Sequence, residues 1–416
     1  MSVLQIKKGS VMKIPRIMIA APKSGSGKTL VTCALLGALK KAGKDPIAFK
    51  CGPDYIDPMF HRTVQKIPAE NLDTFFLGDA GTRELFADIA SAHDIAVIEG
   101  VMGLYDGMGT ESDKGSAYDV ARVTDTPVIL VVDVHGMARS MLALIKGFLD
   151  YDTARLIKGV ILNRITKGFY ESIKNVLAAE LEVPVIGYFP ERKDIHLESR
   201  HLGLQLPDEI ADLNHQLEEA AVQFTETAGL EKLLEIAGNA PEIDLKKPTD
   251  KVSADSDNEA PVLAVARDEA FCFYYEANFR LLRSLGVRIR EFSPLHDKEL
   301  PADADGILLG GGYPELYARE LSENTSMRES IKAAIKNGVP SLAECGGFMY
   351  LHEYMSDPEG NVYPMVGVIK GSTEYKGRLV RFGYVNICEK QPVFIKEGSI
   401  IRAHEFHYYD SDNNGD

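Results

Sequence analysis

The sequence of 416 residues lacks several features, and each absence narrows the class of protein. No apolar run reaches about 18 residues, the length that a membrane-spanning helix needs, so we predict no membrane partner. Basic residues are scarce: 46 lysines and arginines stand against 61 aspartates and glutamates, and the net charge of −15 argues against a nucleic-acid partner. The amino-terminal apolar stretch has no signal-peptide cleavage pattern, which predicts a cytoplasmic protein.

Cysteine is also scarce. The five cysteines are odd in number and widely spaced, and none forms a C-x-x-C pair. The sequence therefore predicts neither a disulfide framework nor a zinc site. With 45 % hydrophobic and 26 % charged residues over this length, we expect a soluble globular protein of two or three domains.

Apolar runs alternate with helical patterns over residues 14–236, which is typical of buried parallel strands in a doubly wound α/β sheet. The predicted strands are Arg16–Ala20, Ile47–Phe49, Ile95–Ile98, Val128–Val132, Gly159–Leu162 and Val185–Tyr188. Residues 237–260 are polar and contain proline, which indicates a linker. A second strand–helix series over 261–416 predicts another α/β domain.

A glycine-rich segment, Ala20-Ala-Pro-Lys-Ser-Gly-Ser-Gly-Lys-Thr29, follows the first predicted strand and opens a helix. This is the context that a phosphate-binding loop requires. Gly25 and Gly27 allow backbone N–H groups to close around phosphates, Lys28 can reach the β- and γ-phosphates, and the Thr29 hydroxyl can ligate Mg²⁺. We therefore predict ATP and Mg²⁺ as ligands.

The loop departs from the usual pattern at its first position, where Pro22 replaces glycine. Lys23, five residues before Lys28, resembles the signature lysine of the deviant phosphate-loop ATPases related to dethiobiotin synthetase and the partitioning ATPases. That lysine points to a nucleotide contact and to a homodimer.

Acidic residues follow two of the predicted strands, at the edge of an open α/β sheet where ligands gather. Glu99 comes directly after Ile95–Ile98 and precedes a glycine-bearing loop, residues 100–107. Asp133 follows Val128–Val132, but no comparable loop comes after it. We therefore rank Glu99 ahead of Asp133 as the metal ligand that acts with Thr29.

A loop with two acids, Lys50-Cys-Gly-Pro-Asp-Tyr-Ile-Asp-Pro58, follows another predicted strand. Its prolines make it rigid, so Asp54 and Asp57 can be held near a metal-bound phosphate. A turn with solvated aspartates fits the loop taken alone equally well.

Five motifs occur in order: K-C-G-P-D-Y-I-D-P (50–58), N-L-D-T-F-F (71–76), E-G-V-M-G-L-Y-D-G (99–107), G-G-G-Y-P-E (310–315) and A-E-C-G-G-F-M-Y-L (343–351). Together they resemble the cobyrinate a,c-diamide synthase family from about residue 14 to the end of the chain, linker excepted. The resemblance implies a carbon–nitrogen ligase of cobalamin biosynthesis. Such an enzyme amidates the a and c acetates of cobyrinate through acyl phosphates, with nitrogen from glutamine or ammonia.

The resemblance also implies roles for residues of the first domain. Positioning of the metal, the phosphate and the substrate carboxylate falls to four acids: Asp54, Asp57, Glu99 and Asp106. Tyr55 and Ile56 would face the macrocycle.

In the second domain, Cys345 follows a predicted strand and precedes two glycines, a pattern that indicates a tight strand-to-helix turn. At such a turn we expect an exposed thiol whose pKa is lowered by the helix N-terminus. Gly311 and Gly312 can offer backbone N–H groups to an oxyanion. The resemblance identifies a glutamine amidotransferase domain of the cobyric-acid type, in which Cys345 attacks glutamine and releases ammonia.

A thiol nucleophile needs a histidine partner, which this family carries on a segment beyond the R-x-H-E-F-H-Y motif. Here that motif spans residues 402–408, and Asp416 is the last residue. We expect the domain to lack its last segment. Loss of glutaminase activity with use of free ammonia, or substitution by His404 or His407, are the alternatives. The alternation of these histidines with Phe406 is typical of a strand.

Other functions remain open at this point. The same chemistry on Ni-sirohydrochlorin or hydrogenobyrinate shares these motifs. Lys23 and Lys28 also permit a partitioning-type ATPase switch. Such a switch needs neither the acid loop, residues 50–58, nor the domain that carries Cys345. A remnant with an intact ATP site and an inactive glutaminase is the last alternative.

Overall fold

The computed structural model describes residues 11–192, 195, 207–244, 260–389 and 396–414. The described residues up to Asp244 belong to one compact unit and those from Ala260 onward to a second. None of the described helices has the length and apolar character that a bilayer crossing demands.

The first unit is built on a parallel seven-stranded sheet. The strands of this unit are β1 (Val11–Met12), β2 (Arg16–Ala20), β3 (Pro46–Cys51), β4 (Ala69–Leu72), β5 (Ile95–Glu99), β6 (Val128–Asp133), β7 (Ile157–Asn163), β8 (Val185–Phe189) and β9 (Ile243–Asp244). The sheet order is β4-β3-β5-β2-β6-β7-β8, and β1 pairs separately with β9. The helices are α1 (Lys28–Lys41), α2 (Ile56–Phe60), α3 (Thr74–Ala90), α4 (Ala117–Val123), α5 (Ser140–Tyr151), α6 (Lys167–Glu180), α7 (Pro207–Thr227) and α8 (Leu230–Gly238).

The central strands are buried on both faces of this sheet, as predicted from their continuous apolar runs. Successive residues of β2 enter different cores: Ile17 and Ile19 lie in one apolar cluster, Met18 and Ala20 in another. Helices therefore cover both faces, which confirms the doubly wound parallel sheet.

The first unit extends into the segment predicted as a linker. Residues 237–238 end α8, and Ile243 of β9 pairs with Met12 of β1. The reason is burial, because Ile243 packs in the core that also contains Ile14. The fully buried Arg16 guanidinium donates to the carbonyl of Pro241 at 2.7 Å and to that of Thr124 at 3.0 Å. The rest of the predicted linker, 245–259, lies outside the described residues.

The second unit combines a parallel and a mainly antiparallel part. Its strands are β10 (Val262–Ala266), β11 (Arg288–Phe292), β12 (Gly306–Leu309), β13 (Ser341–Ala343), β14 (His352–Ser356), β15 (Val362–Pro364), β16 (Ile369–Tyr375), β17 (Arg381–Cys388), β18 (Ile400–His407) and β19 (Tyr409–Ser411). Its helices are α9 (Glu276–Ser284), α10 (Ala318–Glu323), α11 (Thr325–Lys336) and α12 (Gly346–Leu351).

The parallel sheet of the second unit has the order β11-β10-β12-β13, so the turn that carries Cys345 leaves the carboxyl end of an edge strand. A second sheet has the order β15-β14-β16-β19, and β17 and β18 form an antiparallel ribbon. The sequence predicted the parallel α/β part, and strand β18 contains the alternation of His404 and Phe406.

Candidate active site

The predicted phosphate-binding loop connects β2 to α1. Gly25 and Gly27 have φ angles of 74° and 88°, a region that side chains disfavour. A Cβ atom at Gly27 would come within 2.2 Å of the Asn163 amide nitrogen, which donates to the Ser26 carbonyl at 2.8 Å. No side chain caps the first turn of α1, which begins at Lys28. The loop is thus built to present backbone N–H groups to an anion.

Lys28 is buried at the mouth of this loop, where its ammonium donates to the carbonyls of Met102 at 2.5 Å and Lys23 at 3.4 Å. Burial, followed by repulsion from Lys50, lowers the pKa of Lys28 to about 8. The site thus holds a cation whose charge is disfavoured until an anion arrives.

We expect ATP binding to take up protons at pH 8.5 and to weaken as the pH rises further. Lys28 with a pKa near 8 is then partly neutral, and the phosphates favour its charged form, so binding restores the proton. Calorimetric titration in two buffers of different ionisation enthalpy measures this uptake. Lys28→Arg keeps a charge that does not titrate. Undiminished uptake in that variant would show that another group takes the proton.

Thr29 and Glu99, the two predicted metal ligands, lie together. Glu99 ends β5 and is buried, and its Oε1 accepts from the Thr29 hydroxyl at 2.7 Å. Within the described ranges no three His, Cys, Asp or Glu side chains are grouped closely enough to hold a metal by themselves. Mg²⁺ at nucleotide sites takes one or two protein ligands and completes its shell with phosphate and water. A hydroxyl and a carboxylate beside a phosphate loop fit that ion.

Asp133, the rival acid, is engaged elsewhere at the end of β6. Its Oδ2 pairs with the Arg164 guanidinium at 2.9 Å, and its Oδ1 accepts from the backbone N–H of His135. Both carboxylate oxygens thus have protein donors, whereas one oxygen of Glu99 receives no hydrogen bond within the described residues.

Lys50 is a site residue to which no role was assigned from the sequence. Its ammonium lies 2.6 Å from Asp57 Oδ2 and 2.7 Å from Glu99 Oε1, and the side chains are 7 %, 1 % and 1 % exposed, respectively. Burial disfavours its charge, but the charges of Glu99 and Asp57 outweigh burial and raise the pKa of Lys50. This ion pair fastens the acid loop to the nucleotide site.

The acid loop is shaped by its own polar groups. Asp54 Oδ1 accepts from the backbone N–H groups of Ile56 at 2.8 Å and Asp57 at 3.2 Å, and the Asn71 amide donates to the carbonyls of Gly52 and Asp54. Burial and the nearby Asp57 raise the pKa of Asp54. A turn with solvated aspartates is therefore wrong for Asp57, which is 1 % exposed. Tyr55 and Ile56 are half-buried on the same turn.

Asp106 shapes the loop that follows β5. Its Oδ2 accepts from the backbone N–H of Gly103 at 2.9 Å, and the Leu104 N–H donates to the Ala21 carbonyl at 2.9 Å. The loop thus packs on the phosphate-binding loop. The negative charge of Asp106 also partly offsets the lowering of the Lys28 pKa.

A cavity of about 440 Å³, a size typical of small-molecule sites, brings most of these groups together, but Tyr55, Ile56 and Asp106 are not part of its lining. Its polar lining includes Ser24, Lys28, Thr29, Lys50, Asp54, Asp57, Glu99, Asn163, Arg164 and Arg192. Phosphate-binding groups and acids thus line one cavity, so the residues fit a nucleotide with its divalent cation. Asn163 was also missed by sequence analysis, although a polar residue directly after an apolar strand was a signal.

In the second unit Cys345 sits on the predicted strand-to-helix turn, between β13 and α12. Its φ of 48° and ψ of −111° are strained for a residue with a side chain. A Cβ atom at Gly347 would come within 2.2 Å of the Leu309 carbonyl, so the turn needs glycine there. Gly311 packs against Cys345, since a Cβ on this glycine would lie 3.4 Å from that of the cysteine, and the Gly312 nitrogen lies beside Gly346.

The thiol environment differs from the prediction. Cys345 as a whole residue is exposed, but burial around its sulfur raises the pKa of the thiol to about 11. The charges of Glu315 and Glu344 raise the pKa further. The backbone N–H of Gly346, at the start of α12, lowers the pKa of Cys345, but burial and the nearby acids outweigh it. Burial also raises the pKa of Glu315, to about 7.

The histidines of this unit make other contacts. His352 is buried, with Nδ1 2.9 Å from the Phe348 carbonyl and Nε2 2.7 Å from the Ser411 hydroxyl. Successive side chains of a strand point to opposite faces, so His404 and His407, three positions apart on β18, project from opposite faces. Within the described residues, the charged groups that act on Cys345 are acids, and no histidine is among them.

Comparison with known proteins agrees with this division. Residues 17–204 match the family model of the CobQ/CobB/MinD/ParA nucleotide binding domain, and residues 262–415 match that of the CobB/CobQ-like glutamine amidotransferase domain. The chain is 39 % identical over 395 residues to the cobyrinate a,c-diamide synthase of Priestia megaterium, covering 94 % of this chain and 85 % of that protein. It is 42 % identical over 402 residues to the synthase of the same name from Listeria innocua, with 94 % and 86 % covered. For the Thermoplasma volcanium synthase the identity is 40 % over 406 residues, with 95 % and 86 % covered.

Proposed function

The chain belongs to the cobyrinate a,c-diamide synthase family of glutamine amido-ligases, and we propose that it converts the a and c acetate carboxylates of cobyrinate to amides. In this proposal each carboxylate is activated by ATP as an acyl phosphate. The nitrogen comes from glutamine or from free ammonia.

The observation that carries the proposal is the ion pair of Lys50 with both Asp57 and Glu99. Asp57 belongs to the acid loop, and Glu99 contacts Thr29 at the start of α1. An acid loop fastened against a phosphate-binding loop suits an enzyme that brings an acceptor to the γ-phosphate. A partitioning-type switch has no need of such a loop.

The chemistry requires activation because a carboxylate is a poor electrophile. A carboxylate oxygen of the acetate attacks the γ-phosphorus, and the bond to ADP breaks. Ammonia then attacks the acyl carbon, phosphate leaves with the bonding pair, and the nitrogen gives up a proton. Lys28 and the N–H groups of the loop stabilise charge on the transferred phosphoryl group. When bound beside Thr29 and Glu99, Mg²⁺ supplies further charge neutralisation. Two carboxylates require two rounds.

Ammonia from glutamine would be released at Cys345. Its sulfur attacks the carboxamide carbon, ammonia leaves, and water hydrolyses the glutamyl thioester. The backbone N–H groups of Gly311 and Gly312 are proposed to hold the oxyanion. The raised pKa of Cys345 means that the step needs a base to remove the thiol proton.

The test is ATP-dependent amidation of cobyrinate with glutamine and, separately, with ammonium as nitrogen donor, with the amides counted by mass spectrometry. We expect two amides with ammonium. With glutamine we also expect two, provided that a base removes the proton of the Cys345 thiol. Parallel reactions with Ni-sirohydrochlorin and hydrogenobyrinate identify the macrocycle. The proposal would be contradicted if no tetrapyrrole were amidated and ATP hydrolysis were equally fast without one. That result would favour the ATPase switch.

A further inference from the structure

A short π-helical turn, His61–Gln65, follows α2 and ends at Lys66, whose φ is 54°. Such turns are rare in proteins, and those that occur are often found at functional sites. The turn places His61 in the interior, where it is 2 % exposed, and brings its imidazole beside Glu99.

The ring orientation of His61 is fixed through Gln65. The Gln65 Nε2 donates to the Cys33 carbonyl of α1 at 2.8 Å, so its Oε1 is the atom that faces His61 Nδ1, also at 2.8 Å. An amide oxygen only accepts, so Nδ1 carries the hydrogen of this bond. His61 Nε2 is thereby directed at Glu99 Oε2, 3.9 Å away.

The two oxygens of the Glu99 carboxylate have different surroundings. Oε1 accepts from both Thr29 and Lys50. Oε2 is buried and, among the described residues, receives no hydrogen bond. The 3.9 Å between His61 Nε2 and Glu99 Oε2 is too long for a direct hydrogen bond, so the imidazole borders this oxygen as its polar neighbour. His61 thus faces the oxygen of Glu99 that Thr29 and Lys50 do not hold.

We propose that His61, oriented by Gln65, is a positioning residue that restrains the Glu99 carboxylate so that Oε1 stays turned toward Thr29. The inference rests on the proposed nucleotide and metal site, and it is independent of which tetrapyrrole is amidated. Because Gln65 is bound to α1, the restraint links the acid-loop segment, the metal-side carboxylate and the helix that starts at the phosphate loop.

The test compares two substitutions that each keep one half of the imidazole. The amide of His61→Asn reaches the position of Nδ1 and keeps the contact to Gln65, whereas that of His61→Gln reaches the position of Nε2. We expect His61→Asn to weaken Mn²⁺ binding about 10-fold, as is typical when an outer partner of a metal ligand is lost. His61→Gln should stay within about 3-fold of the unaltered protein. Binding is measured by electron paramagnetic resonance with a non-hydrolysable ATP analogue and without any tetrapyrrole.

Thermal unfolding without metal separates positioning from packing. We expect both variants to melt close to the unaltered protein. Equal loss of Mn²⁺ binding in both, together with equally lowered melting temperatures, would make His61 a packing residue and overturn the proposal. Unchanged Mn²⁺ binding in His61→Asn would also overturn it. Should that variant not fold, Gln65→Leu decides, because freeing the ring should weaken Mn²⁺ binding as well. An unaltered protein that binds Mn²⁺ and nucleotide but amidates no tetrapyrrole contradicts only the proposed function.

Discussion

Lys28→Ala is expected to reduce ATP-dependent amidation about 10²–10³-fold, the usual cost of removing one group that stabilises charge in the transition state. Lys28 lies at the start of α1, and its ammonium is held in the mouth of the loop by the carbonyls of Met102 and Lys23. The loss should be the same with glutamine and with ammonium, because both nitrogen sources act after the carboxylate has been phosphorylated. Initial rates with each donor measure it.

Two controls accompany this prediction. Lys44→Ala removes an exposed lysine near the other end of the same helix and should leave the rate unchanged. The melting temperature should not fall in Lys28→Ala, because burial disfavours the charge that is removed. Full activity of Lys28→Ala with either donor would remove the phosphate-loop assignment. A loss of activity only with glutamine would place Lys28 in the release of ammonia and not in the phosphorylation of the carboxylate.

Much of the first unit could be predicted from its sequence because its strands report their own burial. Runs such as Val128–Val132 are apolar without interruption, which occurs where a strand has helices on both faces. The parallel order then brings the carboxyl ends of β2, β3 and β5 to one edge. Hence Thr29 and Glu99, far apart in the chain, could be expected to meet.

Lys50 shows what this reasoning misses. The predicted strand ended at Phe49, which put Lys50 at the start of the acid loop, and only the pairing of β3 with β5 places it opposite Glu99. His61 and Gln65 are harder still, since a π-helical turn has no sequence pattern of its own. The carboxylate contacts of these residues depend on tertiary structure that local propensity does not encode.

The predicted lowering of the Cys345 pKa was wrong for a related reason. The motif predicts the turn correctly, but the pKa depends on how far the turn desolvates the sulfur and on which charges surround it. Glu315 and Glu344 both lie within the motifs, but their effect on the thiol depends on how the folded turn places them around the sulfur. The predicted linker, 237–260, includes Ile243 for the same kind of reason. The burial of this residue in the first unit depends on its pairing with β1.

Cys345→Ala is expected to abolish glutamine-driven amidation and to leave the ammonium-driven reaction unchanged. Loss of a catalytic nucleophile typically costs about 10⁶-fold in rate, so no glutamine-dependent product should be detected. The ammonium reaction bypasses the thiol and depends on the ATP site of the first unit, to which Cys345 does not belong. Amide formation with each donor, followed by mass spectrometry, measures both halves in one preparation.

Alkylation by iodoacetamide tests the thiol environment in the same protein. With a pKa of about 11, roughly one Cys345 thiol in 10³ is ionised at pH 8, and the reactive fraction grows about tenfold per pH unit up to that pKa. Alkylation of Cys345 should accelerate accordingly and remove only the glutamine-driven reaction. Cys388→Ala, which removes the other exposed cysteine, is the control and should change neither reaction. Equal loss of both reactions in Cys345→Ala would contradict separate sites for ammonia release and amidation. Undiminished glutamine use would exclude Cys345 as the nucleophile.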